Sequence, residues 1–390
     1  MTAVHNLGFN IVYLGEGKAS YRLFFDGPSS QKKNNYVNIQ DKKKLNFTDH
    51  DIHLIMNADH IIFARDINYR TIEISKLLKA FNISYSYYAD DNFFLLKRIL
   101  PNKETADFLN DAEKIILTTT NLKKFFKILS NKNDSKYILL PLDIELKRQK
   151  AERKILSSEF ISLGFFGTAK EKLYLDVIKE LEGNSKHLKF KIYLPKDLST
   201  YLKKKNTFNS IIFHEIDFYY DYDCFIKKIT SFNIDFLIHP ADINDKNFKY
   251  KNLNSLLLPY YCRCLTLFCD SPPWNQLRDF NLSEIINNNN QFLNKIEQLY
   301  INKKIYNATL NNLSNFVENY FSSNDNLLLL SGLLSKRAKL KNESLLFKKL
   351  KQLKFSIIDR EIFHLKRSIY RRKARWFGKA DIFEKIDTKI

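Results

Sequence analysis

The chain has 390 residues, of which 63 are Lys or Arg and 43 are Asp or Glu, so its formal net charge is +20. Its length exceeds the usual size of one hydrophobic core, and its hydrophobic share of 44% is sufficient for two, so two domains are expected. The 9 glycines and 8 prolines exclude a low-complexity chain, and no apolar run approaches the roughly 18 residues of a membrane span. No basic segment followed by an apolar run opens the sequence, so the expected location is the cytoplasm.

The distribution of charge and the spacing of the cysteines narrow the classes of partner. Residues 336–390 hold 18 Lys/Arg against 6 Asp/Glu, so more than half of the positive excess belongs to a C-terminal tail. No nucleic-acid-binding motif accompanies that charge, and no nucleic-acid partner is predicted. The four cysteines lack zinc-ligand spacing, which favours buried free thiols in a reducing compartment and predicts no metal site.

Strand and helix patterns alternate through the first 140 residues. Segments whose apolar residues have helical spacing, such as residues 72–81, lie between short apolar runs. Five strands joined by helical crossovers predict a doubly wound α/β domain over residues 1–150. The predicted strands are 9–14, 60–64, 83–88, 114–117 and 137–140.

Glycine and arginine residues follow the first two strands, at the edge where a doubly wound sheet binds its ligand. Gly15 and Gly17, with Arg22 beyond them, follow the first strand, and Arg65 ends the second. A glycine pair would let the backbone approach a ligand closely. The third glycine of a dinucleotide fingerprint is missing, so an ordinary turn is an equal alternative.

Two adjacent carboxylates follow the third strand. Asp90 and Asp91 would accept hydrogen bonds from substrate hydroxyls there, or one of them would act as a base. The alternative is that one of them caps the helix that starts near Phe93.

A second alternating series predicts a second domain. The charged segment 145–158 has little apolar periodicity and is the predicted linker. Gly167 and Thr168 follow the first strand of the series. The series predicts a doubly wound domain over residues 151–325, and the cleft between two such domains is the expected ligand site. Its predicted strands are 160–165, 188–194, 210–214, 234–238 and 264–269.

The stretch 236–274 carries most of the polar residues expected at this second sheet edge. His239 and Pro240 end a buried strand, because proline provides no donor to a strand ladder. An Asn- and Lys-rich loop and a short apolar helix at 256–261 lead to the next strand, so the loop is predicted at the carboxyl ends of the strands. At such a strand end His239 would either contact a ligand or be held only by structural hydrogen bonds.

The order and spacing of these segments resemble those of the GT-B glycosyltransferases, most closely the retaining family-four type of bacterial surface-polysaccharide synthesis. The resemblance spans about residues 5–320. It implies two Rossmann-like domains that transfer a sugar from a nucleotide-sugar donor to a glycan or lipid-linked glycan, without an obligatory metal or other cofactor. The segments that carry it are 59–65, 88–92, 117–120, 161–168 and 236–270.

This resemblance implies a role for each candidate residue. Lys251, or its neighbour Lys249, would stabilise the departing phosphate. The catalytic candidates are Asp90, Asp91 and Lys251. The donor-binding candidates are Gly167, Thr168, His239, Pro240, Asn244, Lys249, Ser255 and Arg263. The acceptor-side candidates are Gly15, Gly17, Arg22 and Arg65.

The sequence departs from the family pattern where a glutamate binds the donor ribose. Counting from Lys251 places Leu258 at that position, and a leucine cannot bind a ribose hydroxyl. A second basic residue of the pattern falls at Ser255, and Arg263 would replace its charge in part. The departure keeps a second hypothesis open, namely a catalytically silent GT-B module that binds glycan or a partner protein.

Residues 326–390 are predicted to form a basic amphipathic helical tail. One interpretation places it on an anionic membrane surface, at the inner face of the plasma membrane, where a lipid-linked acceptor would lie. The other packs it on the N-terminal half or on a second subunit of a homo-oligomer. Apolar residues recur in it at 346, 350, 353, 357, 362, 365 and 369, before the pair Trp376-Phe377.

Overall fold

The structure is a computed structural model, and the chain divides into two compact units. Unit 1 comprises residues 1–143 together with 324–390, and unit 2 comprises residues 144–323. In the described part of the chain, each unit contains one six-stranded sheet whose strand pairs are all parallel. The described residues are 10–15, 36–39, 47–65, 67–96, 102–130, 133–140, 159–166, 171–184, 188–205, 208–217, 222–241, 246–280, 284–286, 291–321, 332–335, 342–353 and 357–376.

Strands and helices alternate along both units. The described strands are β1 (Ile11–Gly15), β2 (Tyr36–Asn38), β3 (His60–Ala64), β4 (Tyr85–Ala89), β5 (Ile115–Leu117), β6 (Tyr137–Leu139), β7 (Phe160–Gly164), β8 (Lys189–Pro195), β9 (Ile211–Ile216), β10 (Phe236–His239), β11 (Leu265–Cys269) and β12 (Glu284–Ile286). The described α-helices are α1 (Asp49–Met56), α2 (Tyr69–Ala80), α3 (Phe93–Leu96), α4 (Lys103–Asp111), α5 (Thr120–Ser130), α6 (Glu171–Asn184), α7 (Lys196–Lys205), α8 (Tyr222–Thr230), α9 (Leu257–Cys262), α10 (Phe292–Ile301), α11 (Lys303–Phe321), α12 (Glu343–Gln352) and α13 (Ile357–Trp376). The described 3-10 helices are Asp134–Lys136, Phe248–Tyr250, Leu253–Leu256 and Trp274–Phe280.

The strand order in each sheet identifies the position at which a ligand is expected. Unit 1 has the order β2-β1-β3-β4-β5-β6, and unit 2 has the order β12-β11-β10-β7-β8-β9. The direction of winding therefore reverses between β1 and β3 in unit 1 and between β7 and β10 in unit 2. Doubly wound sheets bind ligands at the carboxyl ends of the strands beside such a reversal.

The central strands explain why both sheets form. Strands β1, β4, β10 and β11 are buried along their whole length, as expected for parallel strands covered on both faces. At the reversal in unit 2, a Cβ on Gly164 would lie 2.5 Å from Leu237 Cδ2 and 2.7 Å from the Phe166 ring. A larger residue at this position would therefore displace these two side chains.

None of the four cysteines forms a disulfide, and three of them are buried thiols, as predicted, whereas Cys224 on α8 is exposed. Burial raises the pKa of Cys264 well above its usual value, and the neighbouring Cys262 adds to this rise. In the described residues, no group of three or more His, Cys, Asp or Glu residues is arranged to hold a metal ion. No described helix combines the length and apolarity needed to cross a membrane.

The first tail helix, α12, packs on unit 1. Its residues Leu346 and Leu350 are fully buried. The ring of Phe347 lies 5.6 Å from that of His53, and Lys351 forms an exposed ion pair with Asp49 of α1 at 3.2 Å. Helix α12 therefore packs on the N-terminal half, which is one of the two arrangements considered for the tail. The next helix, α13, has four exposed apolar side chains among those that the structure describes.

A buried histidine links the β-sheet of unit 1 to the C-terminal segment. His60 Nδ1 lies 3.2 Å from the carbonyl oxygen of Ser335, which can only accept, so Nδ1 carries the proton. Nε2 then accepts from Ser86 Oγ at 2.9 Å. Glu113 accepts hydrogen bonds from the backbone and the hydroxyl of Ser335 at 2.9 and 2.7 Å. Burial lowers the pKa of His60, and nearby Glu113 opposes this only in part.

Acidification should therefore weaken unit 1 through His60. A depressed pKa means that the unfolded chain binds the proton first, so this stabilisation is present at neutral pH and is lost as the pH falls. We expect His60→Gln to flatten the loss of unfolding free energy between about pH 7.5 and 5.5, by at most about 1.4 kcal/mol per pH unit. Chemical unfolding at several pH values measures it, with exposed His214→Gln as control. Burial raises the pKa of Glu180 to about 7, so Glu180 also changes the unfolding free energy in this pH range. The contribution of His60 is therefore the difference between the pH dependence of the wild type and that of His60→Gln. Equal pH dependence of the two would contradict the assignment.

Candidate functional site

The carboxyl edge of the unit 1 sheet brings several predicted residues together. Gly15, Arg65, Asp90 and Thr118 end or follow the adjacent strands β1, β3, β4 and β5. A Cβ on Gly15 would lie 2.8 Å from the carbonyl oxygen of Ala64, so close strand packing already requires this glycine. The remaining three residues supply a cation, a carboxylate and a hydroxyl at one sheet edge.

Arg65 and Asp90 form the centre of this edge. Arg65 Nε lies 3.5 Å from Asp90 Oδ1, and the guanidinium lies 4.8 Å from the centre of the Phe93 ring. The backbone of Arg65 has a φ of 74°, a strained conformation for a residue with a side chain. It is held by a hydrogen bond from Arg65 N to Tyr88 O at 2.8 Å and one from Tyr87 Oη to Arg65 O at 2.6 Å. These two hydrogen bonds hold the backbone of Arg65, whose side chain contacts Asp90 and Phe93.

Burial distinguishes Asp90 from its neighbour Asp91. Asp90 is only 8% exposed, whereas Asp91 is half-buried. Below Asp90 lies the fully buried Tyr88, whose pKa burial raises well above its usual value, with the Asp90 charge adding to the rise. Asn92 Oδ1 accepts from the backbone N–H of Leu95 at 3.2 Å, so Asn92 caps the short helix α3, the role that one interpretation gave to an aspartate.

The carboxyl edge of the unit 2 sheet carries a cluster of aromatic rings around His239. The imidazole stacks on Phe268 at 5.1 Å and is tilted towards Trp274 at 5.8 Å. Trp274 in turn stacks on Phe268 at 4.7 Å and meets Phe248 edge-on at 5.5 Å. We call these four residues the aromatic cluster. His239 is the last residue of β10, directly beside the reversal at β7.

Polar groups surround the aromatic cluster. Trp274 Nε1 donates to Ser255 Oγ at 2.9 Å, which ties a predicted donor residue to the cluster. The buried hydroxyl of Ser271 has no hydrogen-bond partner among the residues that the structure describes, and it precedes the cis peptide bond between Pro272 and Pro273. A buried hydroxyl of this kind would gain from a polar ligand.

Both predicted lysines lie on the turn that follows Phe248. Lys249 Nζ lies 5.3 Å from the centre of the Tyr250 ring, so its charge is directed onto that ring. Lys251 is half-buried, and its backbone N–H donates to Phe248 O at 3.1 Å. The contact of Phe248 with Trp274 therefore anchors the turn that carries Lys251.

The structure does not bring Arg263 to this edge. It is the left-handed C-cap of α9, two residues before β11 begins, and so lies at the amino ends of the strands. Leu258 is half-buried and packs in an apolar cluster with Leu237, Cys262 and Cys264. It therefore contributes to the core of unit 2. Five predicted residues lie outside the described part of the chain: Gly17, Arg22, Gly167, Thr168 and Asn244.

Sequence reasoning missed the aromatic partners of His239. Phe268 reads as one apolar residue of a strand, and Phe248 as one of a loop. The signal that was present is the rare Trp274, one of two tryptophans, directly after the predicted strand-end segment 270–273.

Several solved protein structures are similar to this chain in fold. The Anabaena protein HepE in complex with UDP and glucose is 12% identical, with a TM-score of 0.56 over 80% of this chain and 96% of that one. An alpha-glucosyltransferase in complex with UDP-glucose and DNA is 13% identical, with a TM-score of 0.57 over 83% and 98%. Sucrose-phosphate synthase from Thermosynechococcus elongatus is 8% identical, with a TM-score of 0.56 over 83% and 98%.

These similar proteins are GT-B glycosyltransferases. This chain has the GT-B fold. The predicted fold of two parallel α/β domains is therefore confirmed. No protein-family profile and no curated protein sequence match the chain. At 8–13% identity the likeness extends to the fold, and the residues of the two edges have to be argued on their own chemistry.

Proposed function

We propose that the protein is a glycosyltransferase that moves a sugar from a nucleotide-sugar donor to a hydroxyl of an acceptor. The observation that carries the proposal is the aromatic cluster, with His239 at the strand reversal of the unit 2 sheet. Its rings offer apolar faces, the Ser255 hydroxyl bonded to Trp274 offers a polar group, and the buried Ser271, whose carbonyl accepts from Trp274 N–H, offers a further hydroxyl nearby in the chain. HepE and the alpha-glucosyltransferase hold UDP or UDP-glucose in the same fold, which supports a nucleotide-sugar donor.

Donor binding would use His239 and Lys251 at the unit 2 sheet edge. A ring N–H of His239 would donate to the diphosphate or the ribose, and the Lys251 ammonium would offset the negative charge that grows on the leaving phosphate. A lysine can supply this charge without a metal, so we propose that transfer needs no divalent cation. Retention of activity in EDTA supports that part of the proposal.

Acceptor binding would use Arg65 and Asp90 at the unit 1 sheet edge. The Asp90 carboxylate would accept a hydrogen bond from the acceptor hydroxyl, and Arg65 would hold the carboxylate in place. We propose a glycan or lipid-linked glycan acceptor of bacterial surface-polysaccharide synthesis, used at the cytoplasmic face, because of the family-four resemblance of the sequence. The same resemblance supports retention of the anomeric configuration, which NMR of the product tests.

A second candidate function is binding without catalysis. Leu258 occupies the position expected to hold the ribose-binding glutamate and packs in an apolar cluster. A module that lacked this contact would bind glycan or a partner protein through the same fold. Hydrolysis or transfer of any sugar nucleotide by the purified chain excludes this candidate.

We expect a thermal-shift screen with UDP, GDP, CMP and their sugars to identify one stabilising nucleotide. His239→Ala should then lower the affinity for that nucleotide by about 10–100-fold, because a hydrogen bond to a charged group is worth about 1.5–3 kcal/mol. His214→Ala is the matched control, since His214 stacks on Tyr193 at 5.0 Å, much as His239 stacks on Phe268. Equal affinity of both variants would reject the donor role of His239, and no stabilisation by any nucleotide would reject the transferase proposal.

A further inference from the structure

The last described helix, α13 (Ile357–Trp376), carries an exposed apolar stripe. Its members Ile358, Ile362, Leu365 and Ile369 are 71%, 42%, 59% and 44% exposed. At 3.6 residues per turn they fall within an arc of about 60° and extend along roughly 17 Å of helix. Single exposed apolar residues are ordinary on a protein surface, whereas a continuous row marks an interaction surface.

The stripe is distinct from the face that attaches α13 to unit 1. Phe363 is buried, and its ring lies 5.8 Å from that of Tyr69 on α2. Helical geometry sets Phe363 about 130° around the helix from the centre of the stripe. One face therefore anchors α13 while another presents the apolar row. Helix α12 shows the contrast, because its Leu346 and Leu350 are buried completely.

The charge of α13 indicates what covers the stripe. The helix contains seven Lys/Arg against two Asp/Glu. Lys366 and Arg372, both exposed, lie on opposite flanks of the stripe by helical geometry. A cationic flank beside an apolar row suits an interface that is negatively charged outside and apolar a few ångströms below, which is the surface of an anionic bilayer.

We propose that α13 docks on an anionic phospholipid surface, with the stripe at the boundary between headgroups and acyl chains and the flanking cations at the headgroups. The proposal does not depend on transferase activity. Vesicle binding by a chain that turns over no sugar nucleotide would uphold the docking and reject the enzyme. Turnover without vesicle binding would do the reverse.

Co-sedimentation of the full chain with vesicles tests the proposal. We expect binding to mixed phosphatidylcholine–phosphatidylglycerol vesicles, little binding to phosphatidylcholine alone, and weakening at high salt because charges are screened. The double variant Ile362→Ser with Ile369→Ser should bind about tenfold more weakly or worse, since it removes two apolar contacts from the stripe.

The matched control is Ile301→Ser with Ile305→Ser. These isoleucines on α10 and α11 of unit 2 are 81% and 44% exposed, so the control removes at least as much exposed apolar surface. Thermal unfolding of both variants checks that each is folded. Equal losses in both variants, equal binding to neutral vesicles, or no binding to anionic vesicles would each overturn the proposal. A dimer in solution that requires the stripe and excludes vesicles would assign the surface to a second copy and overturn it as well.

Discussion

Replacing Lys251 with Ala should lower kcat by about 10²–10³-fold, which is the usual cost of removing one group that stabilises charge in a transition state. The diphosphate becomes more negative as the sugar bond breaks, so the ammonium binds the transition state more strongly than the bound substrate. Lys251 lies on the turn that the contact of Phe248 with Trp274 anchors beside the aromatic cluster. We therefore expect a large change in kcat and only a small change in the affinity for the nucleotide sugar, whose diphosphate has not yet gained this charge.

The control for Lys251→Ala is Lys228→Ala. Lys228 Nζ on α8 lies 5.2 Å from the centre of the Phe232 ring, and it belongs to neither sheet edge of interest. Steady-state kinetics with the nucleotide sugar identified in the thermal-shift screen provide the measurement. Two results would contradict the role, namely an unchanged kcat in Lys251→Ala or a similar loss in Lys228→Ala. If Lys249→Ala lowered kcat and Lys251→Ala did not, Lys249 would be the residue that stabilises the leaving phosphate.

Asp90→Asn should lower kcat/KM by about 10–100-fold, because the amide keeps the shape of the carboxylate but loses the charge that strengthens its hydrogen bond to the acceptor hydroxyl. The effect should appear with varied acceptor, while binding of the nucleotide stays unchanged. The loss of the Arg65–Asp90 ion pair, 3.5 Å long, should add to the fall in kcat/KM, because the guanidinium holds the neutral Asn side chain less firmly than the carboxylate.

Asp111→Asn is the control for the unit 1 edge. Asp111 forms an exposed ion pair with Lys79 at 2.7 Å and ends α4, before β5 begins, at the opposite edge of the sheet. Thermal unfolding of both variants separates a loss of function from a loss of fold. If Asp91→Asn carried the larger loss, the roles of the two carboxylates would be exchanged. If Asp90→Asn weakened nucleotide binding instead, Asp90 would not be an acceptor residue.

The chain itself carries enough information to predict both sheets, because parallel strands that are covered on two faces are short apolar runs between turn signals. Strand β10, predicted at 234–238, forms at Phe236–His239, and β7, predicted at 160–165, forms at Phe160–Gly164. The edge strands β2 (YVN) and β12 (EII) were not predicted, since neither contains three consecutive apolar residues, whereas the equally short β5 (IIL) and β6 (YIL) do. Polar residues that follow a strand could likewise be assigned to a sheet edge, as with Arg65 and Asp90.

Side-chain partners were decided by the tertiary structure alone. The contact of Arg65 with Asp90 depends on the parallel register of β3 and β4, and the stack of His239, Phe268 and Trp274 joins residues up to 35 positions apart. Such pairs depend on the path of loops and on strand order, neither of which leaves a local pattern in one sequence. Counting along the sequence also grouped Arg263 with the donor residues, although a short helix carries it to the amino ends of the strands.

The C-terminal tail shows most clearly what the sequence determines and what the tertiary structure determines. Its apolar periodicity and positive charge are properties of the sequence, and they predict amphipathic helices whatever the surroundings. Which apolar residues are covered depends on where unit 1 offers a complementary surface. It does so for Leu346 and Leu350 of α12, and not for Ile362 and Ile369 of α13. Periodicity determines the face of a helix, and only the packing of neighbouring elements determines whether that face is buried.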